Sequence, residues 1–437
     1  MSSSGSGGTS TRRFALLAPL AHRSFRLLFW GKVVSNLGDW LDILALLTLI
    51  VYRWDLGAFG WGAYLIALTL PYAVISPFAG VWVDRLPRKT VMVACDLART
   101  VVVLGLVWAP NLPAVLFFVT LQTVFSTFFG PAQQATIRAT VPPEDLLTAN
   151  SLSQLADNAA RLIGPGIGGL VLVLVGLRGS FIADAATFLI SAAFLLRLPR
   201  LARLPVLPTV RRRFWPEFRA GVRHIVRRRA LLITVGCSVA ASFFIRATDT
   251  IGAVVLKALG VTTGQLGPSF TLLGLGYVAG ALALGQWGKG RTPILIMGLG
   301  VLELGSLMAM LGIAAIEGLS GGTVAIFAAF VSRFLLGFGF GALGVVYGTI
   351  LQRETPDDLM GRVSATSDML KTTIPLVAPL IVGGLAAWLG LGWAFAIPGA
   401  GLMVVGAVVI LAREVPVGVA ELPSPPNDAM RDGNSPS

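Results

Sequence analysis

The sequence of 437 residues is poor in charge, in cysteine and in histidine, and each shortage removes a class of explanation. Only 13% of the residues are Asp, Glu, Lys or Arg while 55% are hydrophobic, whereas a soluble domain carries about 25% charged residues. Neither a soluble enzyme nor a disordered chain has that balance. The two cysteines, Cys95 and Cys237, stand far apart in apolar stretches, so no disulfide framework or metal spacing exists. The two histidines, His22 and His224, each lie beside arginines and read as solvated interfacial residues, neither ligands nor bases. No glycine-rich phosphate loop, nucleophile elbow or zinc motif stands in a fitting context, so no cofactor, metal or enzymatic activity is expected. Acids are scarce too, 21 against 34 Lys and Arg, giving a formal charge of +13. In a soluble chain this would suggest nucleic acid; here membrane topology accounts for it, and no nucleic-acid partner is expected.

Long apolar runs are what the sequence has in quantity. A crossing of the bilayer core takes about 20 apolar residues, and twelve runs qualify. They lie at about 27–51, 58–83, 91–109, 113–138, 149–175 and 179–197, then at about 230–256, 265–288, 293–315, 321–351, 363–388 and 392–413. Helices are expected, because backbone amides in hydrocarbon have no water to bond. The fold class is therefore an all-α membrane protein with twelve transmembrane helices.

Positive charge alternates between the connecting loops, and Lys and Arg are retained on the cytoplasmic side. One side carries Arg12, Arg13, Arg23 and Arg26, then Arg85, Arg88 and Lys89, then Lys289 and Arg291, then Arg353 and Arg362. The other shows little beyond Arg53, Arg178 and Lys257. Both termini are expected in the cytoplasm of a multi-pass protein of the cell membrane. The polar opening MSSSGSGGTSTRR has no apolar core behind it and reads as a disordered tail, not a cleaved signal. The largest interruption, Arg197 to Arg229, holds eleven arginines and one acid, Glu217. Its segment PEFRAGVRHIVRRR could form a basic amphipathic helix lying on anionic lipid. The expected organisation is a cytoplasmic tail (1–26), a six-helix bundle (27–197), a basic linker (198–229), a second six-helix bundle (230–413) and a disordered cytoplasmic tail (414–437).

Two corners read alike. After the fourth span comes Ile137-Arg138-Ala139-Thr140-Val141-Pro142-Pro143-Glu144-Asp145-Leu146-Leu147, and after the tenth Ile350-Leu351-Gln352-Arg353-Glu354-Thr355-Pro356-Asp357-Asp358-Leu359-Met360. Each ends a helix with proline and offers acids to the first turn of the next. Pro165 and Gly169 then match Pro379 and Gly383 with one residue of slippage. Equal placement in each half favours duplication, and two such halves leave a site between them.

Gly80-Val81-Trp82-Val83-Asp84-Arg85-Leu86-Pro87-Arg88-Lys89 places an acid and a basic cluster at a helix end, where they can latch a releasable conformation. It resembles the G-x-x-x-D-R-x-G-R-[RK] loop of the major facilitator superfamily, with Pro87 where that family usually has glycine. In the fifth span, Ala160-Arg161-Leu162-Ile163-Gly164-Pro165-Gly166-Ile167-Gly168-Gly169 offers small residues for close helix approach and a proline that softens the helix. It is similar to the exporter motif G-x-x-x-G-P-x-x-G-G, with Ala160 for the first glycine and Gly164, Pro165, Gly168 and Gly169 matching. With Leu147-Thr148-Ala149-Asn150-Ser151-Leu152, the chain resembles the bacterial siderophore (enterobactin-type) and macrolide exporter subgroup. The resemblance implies two pseudo-symmetric bundles, antiport over uptake, and a cavity lined by spans 1, 4, 7 and 10. It also implies that Asp84 faces the start of span 11, at Arg362 and Asp368.

An ionised group at mid-bilayer costs roughly 2.5 to 3.5 kcal/mol on insertion scales, so each needs a reason. Asp39 and Asp42 share one face of span 1, and two carboxylates that close in low dielectric cannot both ionise cheaply. They are the expected proton site. Arg246 and Asp249 in span 7 and Arg333 in span 10 could face them and hold an anionic substrate or respond to protonation; an Arg246–Asp249 pair within the helix is the structural alternative. Asp96 with Arg99, Asp157 with Arg161 and Asp368 with Lys371 have the spacing of pairs within one helix near cytoplasmic ends. Asp184 and Glu303 fall on presumed scaffold helices, Glu303 being a secondary proton candidate. Trp30, Trp40, Phe125, Phe128, Phe129, Phe243 and Phe244 could line an apolar cavity or simply pack.

Together these features predict a monomeric secondary transporter that exports small amphipathic compounds, such as drugs or siderophores, in exchange for protons, with membrane lipids as its surroundings. Uptake, lipid flipping and a non-transporting polytopic receptor share the architecture.

Overall fold

The computed structural model describes residues 17–199, 214–287, 292–316 and 322–411. The expected tails up to residue 16 and from residue 412, part of the basic linker, and Lys289 and Arg291 lie outside the described residues. Thirteen α-helices and no strand occur among the described residues: α1 (Arg23–Leu47), α2 (Gly57–Arg85), α3 (Arg88–Leu106), α4 (Leu112–Thr140), α5 (Leu146–Leu196), α6 (Phe214–Arg227), α7 (Arg229–Ala258), α8 (Thr263–Trp287), α9 (Pro293–Ile316), α10 (Thr323–Glu354), α11 (Asp357–Thr373), α12 (Ala378–Leu389) and α13 (Leu391–Leu411). Ten helical stretches are long and apolar enough to cross a membrane. The 19-residue α3 is not among them, because it carries Arg88, Lys89, Asp96 and Arg99.

Three elements depart from the simple spans expected. α1 continues through a π-helical turn, Thr48–Arg53. The eleventh span is made of α11, a 3-10 turn (Ile374–Val377) and α12, because Pro375 and Pro379 interrupt the hydrogen-bond ladder. α5 covers 51 residues but is two helices in succession, because Gly176 has φ 71 and ψ −174, a conformation open to glycine alone. The chain reverses there. Before it, Gly164 and Gly168 meet Trp40 and Leu44 of α1 in parallel order; after it, Asp184 and Ser191 meet Gly38 and Gly31 in antiparallel order. The two limbs, 146–175 and 177–196, thus correspond to the fifth and sixth spans expected.

The duplicated corners share their backbone. Pro142 and Pro356 have φ/ψ of −60/156 and −60/150, and each carbonyl accepts a 3.0 Å bond from the amide three residues on, Asp145 and Leu359. Helix pairing repeats as well: α2 with α4, α3 with α4 and α3 with α5 in the first half recur as α8 with α10, α9 with α10 and α9 with α13 in the second. Glycine lets these helices touch. Gly298, Gly305 and Gly312 of α9 face Gly406, Gly399 and Gly392 of α13, where an added methyl would meet backbone at 3.2 Å or less.

The halves join unevenly. At the end holding Leu46, Ile50 and Tyr64, one buried cluster also includes Leu256, Leu266, Leu304 and Phe395 of the second half. At the basic end, Phe25, Met92 and Ile137 belong to a first-half core, while Met297, Ile350 and Val363 belong to separate second-half cores. Phe59, Trp82, Trp108, Phe117, Val324 and Trp388 point outward from the bundle, the placement expected of lipid-facing side chains. The linker helix α6 does form, with one side packed inward: Gly221 lies against Arg362 and Thr366 of α11, and Ile225 is buried with Val363 and Leu231, while Arg219, Arg223 and Arg227 are exposed.

Candidate functional site

α1 brings the expected carboxylates into the first half. Asp42 is 5% exposed; its Oδ2 accepts a 2.9 Å bond from Gln122 Nε2 of α4, and its Oδ1 is buried with no hydrogen-bond partner among the described residues. Leaving such an atom unpaired costs about 1 to 3 kcal/mol. Asp39, one turn earlier, is half-buried and within electrostatic reach of Asp96 and Arg99 of α3. Tyr64 of α2, buried and stacked on Trp61 at 4.3 Å, lies in the field of Asp39, Asp42 and Arg246.

The remaining expected site residues divide. Arg246 is half-buried on α7. Arg333 is 7% exposed on α10, its guanidinium 5.0 Å over the Phe270 ring of α8, with Tyr52 as an electrostatic neighbour. The side chains of Asp249, Gly80 and Asp84 lie outside the described residues, so the expected Arg246–Asp249 pair and the expected contact of Asp84 with α11 do too.

The loop motif works as helix capping. Arg88 donates to the Ala135 carbonyl at 3.2 Å, and Lys89 donates to the carbonyls of Leu196 and Leu198 at 2.7 and 2.6 Å, placing positive charge on the C-terminal end of α5. Arg85 is exposed. Pro87, in the usual glycine position, is the N-cap of α3 at φ −64, a value proline favours, so no glycine is required. Asp368 pairs with Lys371 at 2.8 Å as expected, and Lys371 sits 3.9 Å from the Tyr347 ring centroid.

The exporter-type motif uses two faces of one limb. Gly164 and Gly168 lie under Trp40 and Leu44 of α1, while Gly169 opposes Gly267 of α8, with Pro165 offering its carbonyl toward Gly267. A methyl on Gly169 would meet the Gly267 backbone at 2.7 Å. Close packing within the half and across the halves therefore depends on the same four motif residues.

Several expectations need correction. Asp157 pairs not with Arg161 on its own helix but with Lys32 Nζ at 2.8 Å and Asn36 Nδ2 at 2.7 Å on α1. Lys32, the one basic residue in the 27–51 run, was the available signal and went unused. Asp184 is not peripheral scaffold: it is 0% exposed, faces Gly38, and shares its surroundings with Asp39, Asp42 and Arg99. Asp96 and Arg99 do pair, but in the interior, with Arg99 clamped 4.6 Å and 4.4 Å from the Phe129 and Phe188 ring centroids. Trp40 packs against Gly164 and Phe129 against the Arg99 guanidinium. His22 is tied to Asp145 at 3.0 Å, and His224 contacts the Glu354 carbonyl at 3.3 Å, so neither is merely solvated. Gln122 and Tyr64, being neutral, escaped a search for charges.

The two ends of the molecule differ. Away from the basic end, Lys257 of α7 donates to the Val51 carbonyl at 2.9 Å and Asp55 at 2.6 Å, and Tyr52 donates to the Val261 carbonyl at 3.0 Å. At the basic end, a cleft of about 590 Å3 lies between α2 (Tyr72, Ser76), α6 (Phe218) and α11 (Arg362, Met369). Among the described residues, no group of three or more His, Cys, Asp or Glu could hold a metal.

Helical halves joined at one end and cleft at the other, with ionisable groups buried inside, define a multi-pass membrane transporter. Residues 28–365 match the Major Facilitator Superfamily, and the chain belongs to it. It is 26% identical to the uncharacterized MFS-type transporter YfiS of Bacillus subtilis (strain 168) over 388 residues, 88% of this chain and 92% of that one. It is 25% identical to the enterobactin exporter EntS of Salmonella typhi over 410 residues, 89% and 92% of the two chains. A bacterial homolog of the human lysosomal transporter Spinster, solved inward-facing and unoccupied, superposes with a TM-score of 0.61 at 14% identity, covering 93% of this chain and 96% of that one.

Proposed function

We propose that this chain is a proton-coupled exporter of small amphipathic compounds, working by alternating access in the cell membrane as a monomer with twelve spans and both termini cytoplasmic. The observation that carries this is Asp42, a carboxylate buried in a membrane half with one oxygen bonded to Gln122 and the other unpaired. A permanently ionised group would leave that oxygen uncompensated, whereas a group that takes up and releases a proton has use for it. The similarity to an enterobactin exporter supports the direction of transport.

In the cycle, compound enters the cleft at the basic, cytoplasmic end. Asp39 or Asp42 takes a proton from the outside, which removes its attraction for the positive field of Arg246 and shifts the balance between inward and outward states. Lys257, Asp55 and Tyr52 close the outer end in the inward state.

Proteoliposomes with an imposed pH gradient and a panel of ethidium, other cationic dyes and catecholate siderophores test this. The wild type moves at least one of them against its concentration gradient, and the Asp39→Asn, Asp42→Asn double variant loses that movement. Equal gradient-driven flux in the double variant eliminates the proposed proton site.

A further inference from the structure

The contact between α1 and the second limb of α5 mixes polar side chains with apolar ones. Asp184 stands against Gly38 and Ser191 against Gly31, and this antiparallel register brings Ser35 level with Thr187 and Asp42 level with Ser180. Among the buried positions of α1, Gly31, Ser35, Gly38 and Asp42 are spaced four, three and four; among those of α5, Asp184, Phe188, Ser191 and Leu195 have the same spacing. A stripe of this kind normally packs apolar side chains. Here it buries two carboxylate oxygens, Asp42 Oδ1 and Asp184 Oδ2, with no hydrogen-bond partner among the described residues, and beside them the Ser191 hydroxyl, which is within bonding reach of the Asp96 carboxylate on the neighbouring α3. Asp184, Ser191 and Asp96 are each 0% exposed.

These groups stand at graded depth. Ser191 is five residues from the basic end of α5, about 8 Å at helical rise, and Asp184 twelve residues, about 18 Å. Asp42 is nineteen residues from the start of α1, about 29 Å. Between them, Thr187 Oγ1 lies 3.2 Å from Asp184 Oδ1. The charged and titratable groups facing this line are Asp39 and Asp42 on α1, Tyr64 on α2, Cys95, Asp96 and Arg99 on α3, and Asp184 on α5. Arg246 on α7 acts on Tyr64.

We propose that the α1–α5 seam is the proton path of the carrier: a proton held at Asp42 leaves toward the basic face through Asp184, Thr187 and Ser191, inside the first half, without entering the cleft between the halves. This rests on the proton coupling proposed above. In each hop one O–H bond forms as another breaks: Asp184 accepts the proton that Asp42 gives up and passes it on, and each hydroxyl accepts one proton while releasing its own. No oxidant, metal or covalent intermediate is involved. Arg99, fixed between Phe129 and Phe188, supplies a standing positive charge that stabilises the Asp184 carboxylate once its proton has gone. Separate routes for cargo and proton let an amphipathic compound fill the cleft without blocking proton release.

The test compares two ethidium fluxes in proteoliposomes carrying pyranine as an internal pH reporter. Gradient-driven flux needs net proton movement; counterflow, the exchange of ethidium for ethidium, does not. Asp184→Asn is expected to cut gradient-driven flux and its pyranine signal at least tenfold while counterflow stays within about twofold. Ser191→Ala, which removes one oxygen, is expected to cut the first about fivefold with the same retention, and it decides the matter if Asp184→Asn loses both fluxes. Gradient-driven flux within twofold of wild type in Asp184→Asn, or unchanged in Ser191→Ala, overturns the seam as a path. A wild type that moves no ethidium under the gradient, yet exchanges it in counterflow, counts instead against proton coupling itself.

Discussion

The α9–α13 and α1–α5 seams are built on the same spacing and filled differently. Gly298, Gly305 and Gly312 repeat every seven residues opposite three glycines on α13, so backbone meets backbone and no side-chain polar atom intervenes. Gly31 and Gly38 repeat every seven residues on α1, yet what fills the space opposite is Ser191, Thr187 and Asp184. Small residues explain how closely both pairs approach. They do not explain why one seam carries unpaired carboxylate oxygens, each a cost that simple packing would avoid. The glycine seam packs backbone on backbone; the polar seam buries carboxylates and hydroxyls.

The two largest effects, of similar size, should come from the interior, and the first from breaking the glycine seam. Gly305→Leu would force a branched side chain into a space where a single methyl meets the Met403 backbone at 2.5 Å, and overpacking of this kind costs about 1 to 3 kcal/mol or more. Loss of the monodisperse protein in detergent, followed by size exclusion and thermal unfolding, is the expected result; wild-type behaviour would show that the α9–α13 contact is looser than described. Arg99→Met comes next, since it leaves Asp96 buried without its pair, and breaking a buried pair costs about 3 to 5 kcal/mol. A thermal midpoint equal to wild type would mean that Asp96 finds another partner.

A double-mutant cycle sharpens the comparison directly. Gly38→Ala should destabilise by about 1 to 3 kcal/mol, because the methyl meets Asp184 and Thr187. Adding Asp184→Ala should restore part of that loss, giving a coupling energy of about 0.5 kcal/mol or more; strict additivity would separate the two residues. The smallest effect belongs to the outer end. Lys257→Gln removes an ion pair whose acid is 81% exposed, so its effect on stability should stay within about 1 kcal/mol. Its effect should appear instead as a wider distance between spin labels on the two halves at that end, and an unchanged distance distribution would make the pair ornamental.

Much of this was readable in the residues. The apolar runs place nearly every spanning helix, and the repeated Pro-acid-acid corner recurs as two turns of matching φ/ψ. The glycines of 160–169 do what small residues at that spacing should. What escaped the sequence is lateral. A charge three or four residues from an opposite charge looks paired, which holds for Asp96 and Asp368 but fails for Asp157, whose partners Lys32 and Asn36 are more than a hundred residues away. The sequence divides the spans at 175–179, but nothing local shows that the limb after Gly176 lies against α1 and buries Asp184 there. Gln122 carries no charge to notice, although it holds Asp42.

The central claim is that Asp42 makes transport depend on protons, and counting both at once tests it most directly. Ethidium and protons are followed together in the same proteoliposomes, wild type against Asp42→Asn. Opposite movement of ethidium and protons in the wild type, with proton movement lost and ethidium counterflow kept in Asp42→Asn, is the predicted result. Ethidium flux accompanied by the same proton movement in both proteins would contradict it.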